Sequence, residues 1–154
     1  MTFYVQKFGG TSVGTVERIN AVADKVAKFR KNGDDIVVVV SAMSGETNRL
    51  IALANEFSDQ PEAREYDALV STGEQVTSAL LSMAHISRGC PAVSLNGSQV
   101  QIQTDDVHSK ARIRNIDNER INTEVKAGRV VVVAGFQGVD PKGNITTLGR
   151  GGSD

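Results

Sequence analysis

The residues able to do chemistry lie in a few glycine- and hydroxyl-rich stretches. The first is Lys7-Phe8-Gly9-Gly10-Thr11-Ser12-Val13-Gly14. Glycines let peptide N–H groups approach an anion with no Cβ in the way. A helix beginning near Gly14 would aim its free N–H groups and its dipole at the same place. Lys7 adds a compact, mobile ammonium. The chemistry this fits is phosphate binding, although a tight turn with Lys7 in solvent uses the same residues. Neither familiar fingerprint is met. Thr15-Val16 follows the glycine frame where a P-loop needs lysine and a hydroxyl, and Thr11 stands where the dinucleotide motif needs its second glycine.

Three further stretches carry candidates. Ser41-Ala42-Met43-Ser44-Gly45-Glu46-Thr47 places three hydroxyls after an apolar run, either for a ligand or for capping the next helix. Ser71-Thr72-Gly73-Glu74 sits in an otherwise helical pattern, where glycine costs about 1 kcal/mol relative to alanine, so a break or a close contact is implied. Glu74 could accept from a substrate amine or simply complement a helix dipole. Gly149-Arg150-Gly151-Gly152-Ser153-Asp154 offers a guanidinium fork for a carboxylate or phosphate beside open backbone. Ser153 and Asp154 are helix-start residue types with no helix after them, so the chain is expected to be the front portion of a longer protein. His85 and His108 lie outside these loops and read as structural or surface groups.

These residues need a frame. The 154 residues fit one domain, with 40% apolar and 23% charged residues, near the average for globular proteins. The net charge of −1 argues against binding nucleic acid or a membrane surface through bulk charge. Cys90 is the single cysteine, so no internal disulfide forms. No apolar run approaches the roughly 20 residues of a membrane span, and the N-terminus lacks the form of a signal peptide. A cytoplasmic protein is the simplest expectation.

Thr2–Phe8 reads as a strand, and helical spacing from Val16 to Phe29, closed by Gly33, gives a helix over about residues 14–32. Asp35–Val40 is a strand buried on both faces. A short helix is expected near Asn48–Glu56, and helical spacing over Glu65–Arg88 with a possible break at Gly73. Pro91–Leu95 and Ala111–Ile116 are expected strands, and no element is assigned to residues 98–110. Asp117 is the expected cap of a helix through Lys126 that stops at Gly128. Arg129–Ala134 is a second buried strand, and Asp140–Asn144 is a turn between two short segments. Alternating strands and helices predict an α/β domain with a mostly parallel sheet and helices on both faces. Ligands then gather where loops leave the carboxyl ends of strands.

The segments KFGGTSV, VVVVSAMSGETNRL (37–50), STGEQVTSALL (71–81), AGFQGVD (134–140) and TTLGRGGSD (146–154) together resemble the amino acid kinase family, in its aspartate-phosphorylating branch. The resemblance implies a three-layer α/β/α sandwich, truncated here. It implies phosphoryl transfer from ATP, with Mg²⁺, to the β-carboxylate of L-aspartate, giving 4-phospho-L-aspartate on the way to lysine, threonine, methionine and diaminopimelate. By the same resemblance Lys7, Phe8, Gly9 and Gly10 hold phosphates, and Ser41 lies at the nucleotide end. Thr47 and Glu74 bind aspartate, Glu74 through the amino group. Arg150 clamps a carboxylate, and Gly151, Gly152, Ser153 and Asp154 complete that pocket, with Asp154 orienting Lys7. Gly135 and Phe136 line the site, and no residue is assigned to a metal. Family members continue beyond the last motif into an adenine and ribose site and regulatory ACT domains, so residues 1–154 are expected to show weak or no turnover alone. A sheet cut short would expose apolar surface, and self-association is expected from it. A different small acid as acceptor, or a non-catalytic interaction fragment, remain the competing readings.

Overall fold

The structure, a computed structural model, describes residues 2–149 and 152–154. In chain order its elements are β1 (Phe3–Phe8), α1 (Val16–Lys31), β2 (Asp35–Val40), α2 (Glu46–Asn55), α3 (Ala63–Val70), α4 (Thr72–Ser87) and β3 (Ala92–Leu95). They continue as β4 (Ile102–Thr104), β5 (Ile113–Ile116), α5 (Glu119–Lys126), β6 (Val130–Ala134), β7 (Gln137–Val139) and β8 (Ile145–Thr147).

The valine-rich strands form one parallel sheet in the order β1-β2-β6-β3. Side chains alternate across it. Ile36, Val38, Val40, Val130 and Val132 pack on one face against Ile19, Val22 and Val26 of α1 and Leu81 of α4. Val37, Val131 and Val133 pack on the other against Leu95, Val100 and Val125 of α5. Burial on both faces is what a continuous apolar run requires, and it yields the three layers of an α/β/α sandwich.

A second, mixed sheet runs β5-β4-β7-β8. Its strand β4 falls inside 98–110, where the sequence pattern assigned nothing. The short segments around the Asp140–Asn144 turn are β7 and β8, paired antiparallel.

Helix ends follow local chemistry. Thr15 caps α1, its Oγ1 accepting from the Arg18 N–H at 3.1 Å. Gly33 and Gly128 take φ of +86° and +85° just past α1 and α5, a backbone that L side chains avoid. Two boundaries differ from expectation. Asn118, not Asp117, is the N-cap of α5, and the Asp117 carboxylate accepts from the Glu119 N–H at 2.9 Å from one residue earlier. The division within 65–88 falls at Ser71, which ends α3 and opens α4, rather than at Gly73. Gly73 is instead a close contact, since a Cβ there would stand 2.9 Å from the Ala42 Cβ. Among the described residues no helix is long and apolar enough to cross a membrane.

His85 on α4 is structural. It is fully buried, and neither ring nitrogen has a hydrogen-bond partner. Desolvation, helped by the Arg88 guanidinium, lowers its pKa from 6.5 to about 4. Above pH 6.5 folded and unfolded chains both hold neutral imidazole. As pH falls below that, the unfolded chain binds a proton that the native state resists, and the loss grows until about pH 4. It amounts to roughly 3 kcal/mol. Replacing His85 with leucine is therefore expected to remove an acid-side fall in stability, read as urea midpoints of variant and parent between pH 4 and 7.

Candidate active site

The parallel register brings the carboxyl ends of three strands level, Phe8 beside Val40 and Val40 beside Ala134. The main chain continues that alignment into the loops. The Ser41 N–H donates to the Phe8 carbonyl at 3.1 Å, and the Gly135 N–H donates to the Val40 carbonyl at 2.9 Å. Loops leaving one rim thus enclose a cleft of about 310 Å³. Lys7, Gly10, Ser41, Thr47, Glu74 and Ser153 line it, with Phe136 on one wall.

Glycine permits the loop packing behind this cleft. A Cβ at Gly10 would sit 3.2 Å from the Ala42 carbonyl oxygen, and one at Gly14 would sit 3.1 Å from the Ser44 Cβ. Phe136, between β6 and β7, holds a left-handed φ of +68°, rare for a bulky residue and a form of strain that clusters at functional sites. Its carbonyl accepts from the Leu148 N–H at 2.9 Å, tying this wall to the end of β8.

The remaining candidates fall in different places. Asp154 is ion-paired with the Lys7 ammonium at the cleft edge. The Phe8 side chain turns away, packing on the α1 face of the sheet with the Lys25 ammonium 5.9 Å from its ring centroid, and Phe8 does not line the cleft. Gly9 makes a turn, its carbonyl accepting from the Ser12 N–H at 3.0 Å, and does not line the cleft. Gly152 faces Leu148 and Gly149 on another side of its loop. Arg150 and Gly151 lie outside the described residues.

One feature escaped the sequence pattern. The helix start that faces the cleft is that of α2, not α1. Thr15 caps α1, whereas α2 begins at Gly45 with φ +82° and no side-chain cap. Gly45, Thr47 and Asn48 border the cleft, so the hydroxyls of Ser44 and Thr47 leave the helix start open instead of closing it. Open N–H groups at a helix start attract an anion. The glycine at position 45, standing among residues able to cap, was the one hint available in the sequence.

The cleft also holds a strained acid. Glu74 is only 3% exposed, and its Oε2 has no hydrogen-bond partner among the described residues. Desolvation raises its pKa to about 7, against the pull of the Glu74 and Ala42 peptide N–H groups. An ammonium group placed in the cleft would supply the missing partner. A larger cavity, about 450 Å³, lies beside Arg30, Arg88 and Cys90 near the opposite rim. Its guanidinium groups are already engaged: Arg88 donates to Asp24 at 2.6 Å and Arg30 to the Gly128 carbonyl at 3.4 Å. The smaller cleft is therefore the chemical one.

The model of the amino acid kinase family matches residues 2–154. This chain belongs to that family. It is 73% identical over its whole length to an aspartate kinase of Stutzerimonas stutzeri, and 51% identical to aspartokinase 2 of Bacillus subtilis. The chain spans 37% and 38% of the lengths of these two family members. The crystal structure of aspartate kinase from Synechocystis superposes with a TM-score of 0.80 at 49% identity, over 97% of this chain and 24% of that one. An Escherichia coli aspartokinase III in complex with aspartate and ADP superposes with a TM-score of 0.85 at 25% identity, over 99% of this chain and 44% of that one.

Proposed function

We propose that this chain forms the acceptor and phosphate-handling part of an aspartate kinase. In this reading the ATP γ-phosphoryl group passes to the β-carboxylate of L-aspartate, giving ADP and 4-phospho-L-aspartate. The observation that carries the reading is the meeting of Lys7, the open start of α2 and the unpartnered Glu74 in one cleft. A carboxylate acceptor is already ionised at neutral pH and needs no strong base to attack phosphorus. The obstacle is repulsion between anions, and positive charge with fixed N–H donors around the moving group answers it.

Lys7 lies beside the transferring phosphoryl group, and Asp154 holds its ammonium in place until nucleotide arrives. Gly10 offers its main-chain N–H to the phosphates, with Gly9 turning the chain ahead of it, and Ser41 stands at the nucleotide end. Glu74 takes the aspartate amine, with Thr47 beside it. Ser153 borders the acceptor pocket, Arg150 and Gly151 complete it, and Gly152 shapes the loop that carries them. Mg²⁺ would arrive on the nucleotide phosphates and neutralise their charge. Among the described residues no group of three or more His, Cys, Asp or Glu could hold a metal, and none is assigned to it. In this reading the protein works in the cytoplasm, and exposed apolar residues on the edge strand β1 (Phe3 50%, Val5 65%) favour self-association.

A coupled ADP-release assay on the complete enzyme tests this with an acceptor panel. L-aspartate is expected to support turnover, while succinate, which lacks the amine, supports it far less. Equal rates with both acids would remove Glu74 from acceptor recognition, and no rate with aspartate would overturn the reading.

A further inference from the structure

Two parts of the cleft wall come from distant stretches of the chain. One is the start of α4, which carries Glu74. The other is the β7–β8 hairpin, which has Phe136 immediately before it and Ser153 and Asp154 shortly after it. Something must fix their separation, and the main chain alone does not.

We propose that a buried polar clamp between the α3–α4 junction and the β7–β8 hairpin sets the geometry of the acceptor pocket, with Asp67, Gln137 and Thr147 as its positioning residues. This rests on the reading that the cleft binds aspartate. Gln137 and Thr147 are register partners across the hairpin. Asp67 and Ser71 lie four apart, on one helix face. All four residues are buried. The Thr147 Oγ1 donates to Asp67 Oδ1 at 2.6 Å, and the Thr147 N–H donates to Asp67 Oδ2 at 3.0 Å. The Gln137 amide nitrogen donates to the Ser71 carbonyl at 2.9 Å, and its oxygen accepts from the Gly97 N–H at 3.2 Å. The hairpin therefore grips α3 and its end through one bond from β7 and two from β8.

The turn of the hairpin is held as well. Asp140 closes it by accepting from the Lys142 and Asn144 N–H groups at 3.0 and 2.8 Å. The His108 ring stands between the two acids, Nδ1 2.8 Å from Asp67 Oδ2 and Nε2 3.7 Å from Asp140 Oδ2. The Ser109 N–H adds a further donor to Asp67 at 3.1 Å. A fully buried carboxyl group is costly unless its oxygens find hydrogen-bond donors, and Asp67 finds several. The donors come from segments far apart in sequence, so the same bonds that satisfy Asp67 also fix where those segments stand. Ser71 is the hinge residue between α3 and α4, and Glu74 follows three residues on. A hairpin displaced against the junction would carry Phe136 and Ser153 away from Glu74.

Thr147→Val keeps the side-chain shape and removes the hydroxyl, whereas Thr147→Ser keeps it. Both are compared with the parent by amide resonances in nuclear magnetic resonance and by calorimetric titration with L-aspartate. In Thr147→Val the Gly73 and Glu74 resonances are expected to shift and the aspartate Kd to rise by roughly tenfold, the scale of a hydrogen bond to a charged group. Thr147→Ser restores both. A Thr147→Val protein with a lower melting temperature but unmoved Glu74 resonances and parental affinity would overturn the clamp and leave an ordinary packing contact. If that variant does not fold, His108→Ala removes one donor at the more accessible side of Asp67 and is read in the same way. Should the parent fail to bind aspartate while Glu74 still responds to the hydroxyl, the aspartate reading falls and the clamp stands.

Discussion

Replacing Lys7 with alanine is expected to slow aspartate-dependent phosphoryl transfer in the complete enzyme by roughly 10²- to 10³-fold, the cost of removing one preorganised charge-stabilising group. The physical reason is specific to this reaction. Nucleophile and phosphoryl group are both anionic, so the barrier depends on positive charge placed between them. Lys7, near the carboxyl end of β1, puts a cation at the cleft. Its loss should leave the fold almost untouched. The Lys7 side chain is 35% exposed and its partner Asp154 67% exposed, and pairs this open to solvent contribute little to stability, about 0–1 kcal/mol. A large fall in kcat with an unchanged melting temperature therefore separates chemistry from stability. Lys7→Arg is expected to recover little, because a planar fork does not reproduce a compact ammonium that follows a moving phosphoryl group. Near-parental kcat in Lys7→Ala would remove this residue from the mechanism.

The second large effect concerns Glu74 and pH. Its carboxyl group, raised to about 7 mainly by desolvation, is partly protonated near neutrality in the free protein. An amine bound against it needs the charged form, so aspartate binding should release a proton and strengthen as pH rises through 7. Affinity is expected to fall by roughly tenfold per pH unit well below that midpoint. Calorimetry in two buffers of different ionisation enthalpy counts the released protons directly. Glu74→Gln should weaken binding at pH 8 by roughly 10- to 100-fold, the range for a hydrogen bond between charged groups, and abolish the pH dependence.

The same substitution should stabilise the free protein. A carboxyl group whose folded pKa is raised contributes stability that is present below its ordinary 4.5 and is lost as pH rises through about 7. Above that, parent protein carries a buried charge and the glutamine variant does not. Better folding with worse binding is the expected signature of a strained functional residue. An aspartate Kd that stays flat from pH 5.5 to 8.5 would contradict it.

The fold was legible where local pattern decides it. The valine runs at 37–40 and 130–133 announced strands buried on both faces, and Gly33 and Gly128 stopped their helices because only a left-handed backbone ends them there. Of the site, Lys7, Gly10, Ser41, Thr47, Glu74 and Ser153 were singled out by residue type and meet in one cleft. Features set by distant partners were not legible. Strand β4 is three residues long and shows no buried-face rhythm, whereas β5 was expected from the alternation over 111–116 although every one of its positions is exposed. The open start of α2 was hidden by hydroxyl residues that look like caps but do not cap. Local pattern does not pair Gln137 with Ser71 or Asp67 with Thr147, because these bonds form only when distant segments meet.

The most direct test of the central claim is a crystal structure of the complete enzyme with L-aspartate and a non-hydrolysable ATP analogue. The acceptor amine is expected within hydrogen-bonding distance of the Glu74 carboxylate, and the γ-phosphate analogue beside the Lys7 ammonium. Aspartate seated in the cavity beside Arg88 and Cys90, with Lys7 facing empty solvent, would contradict it.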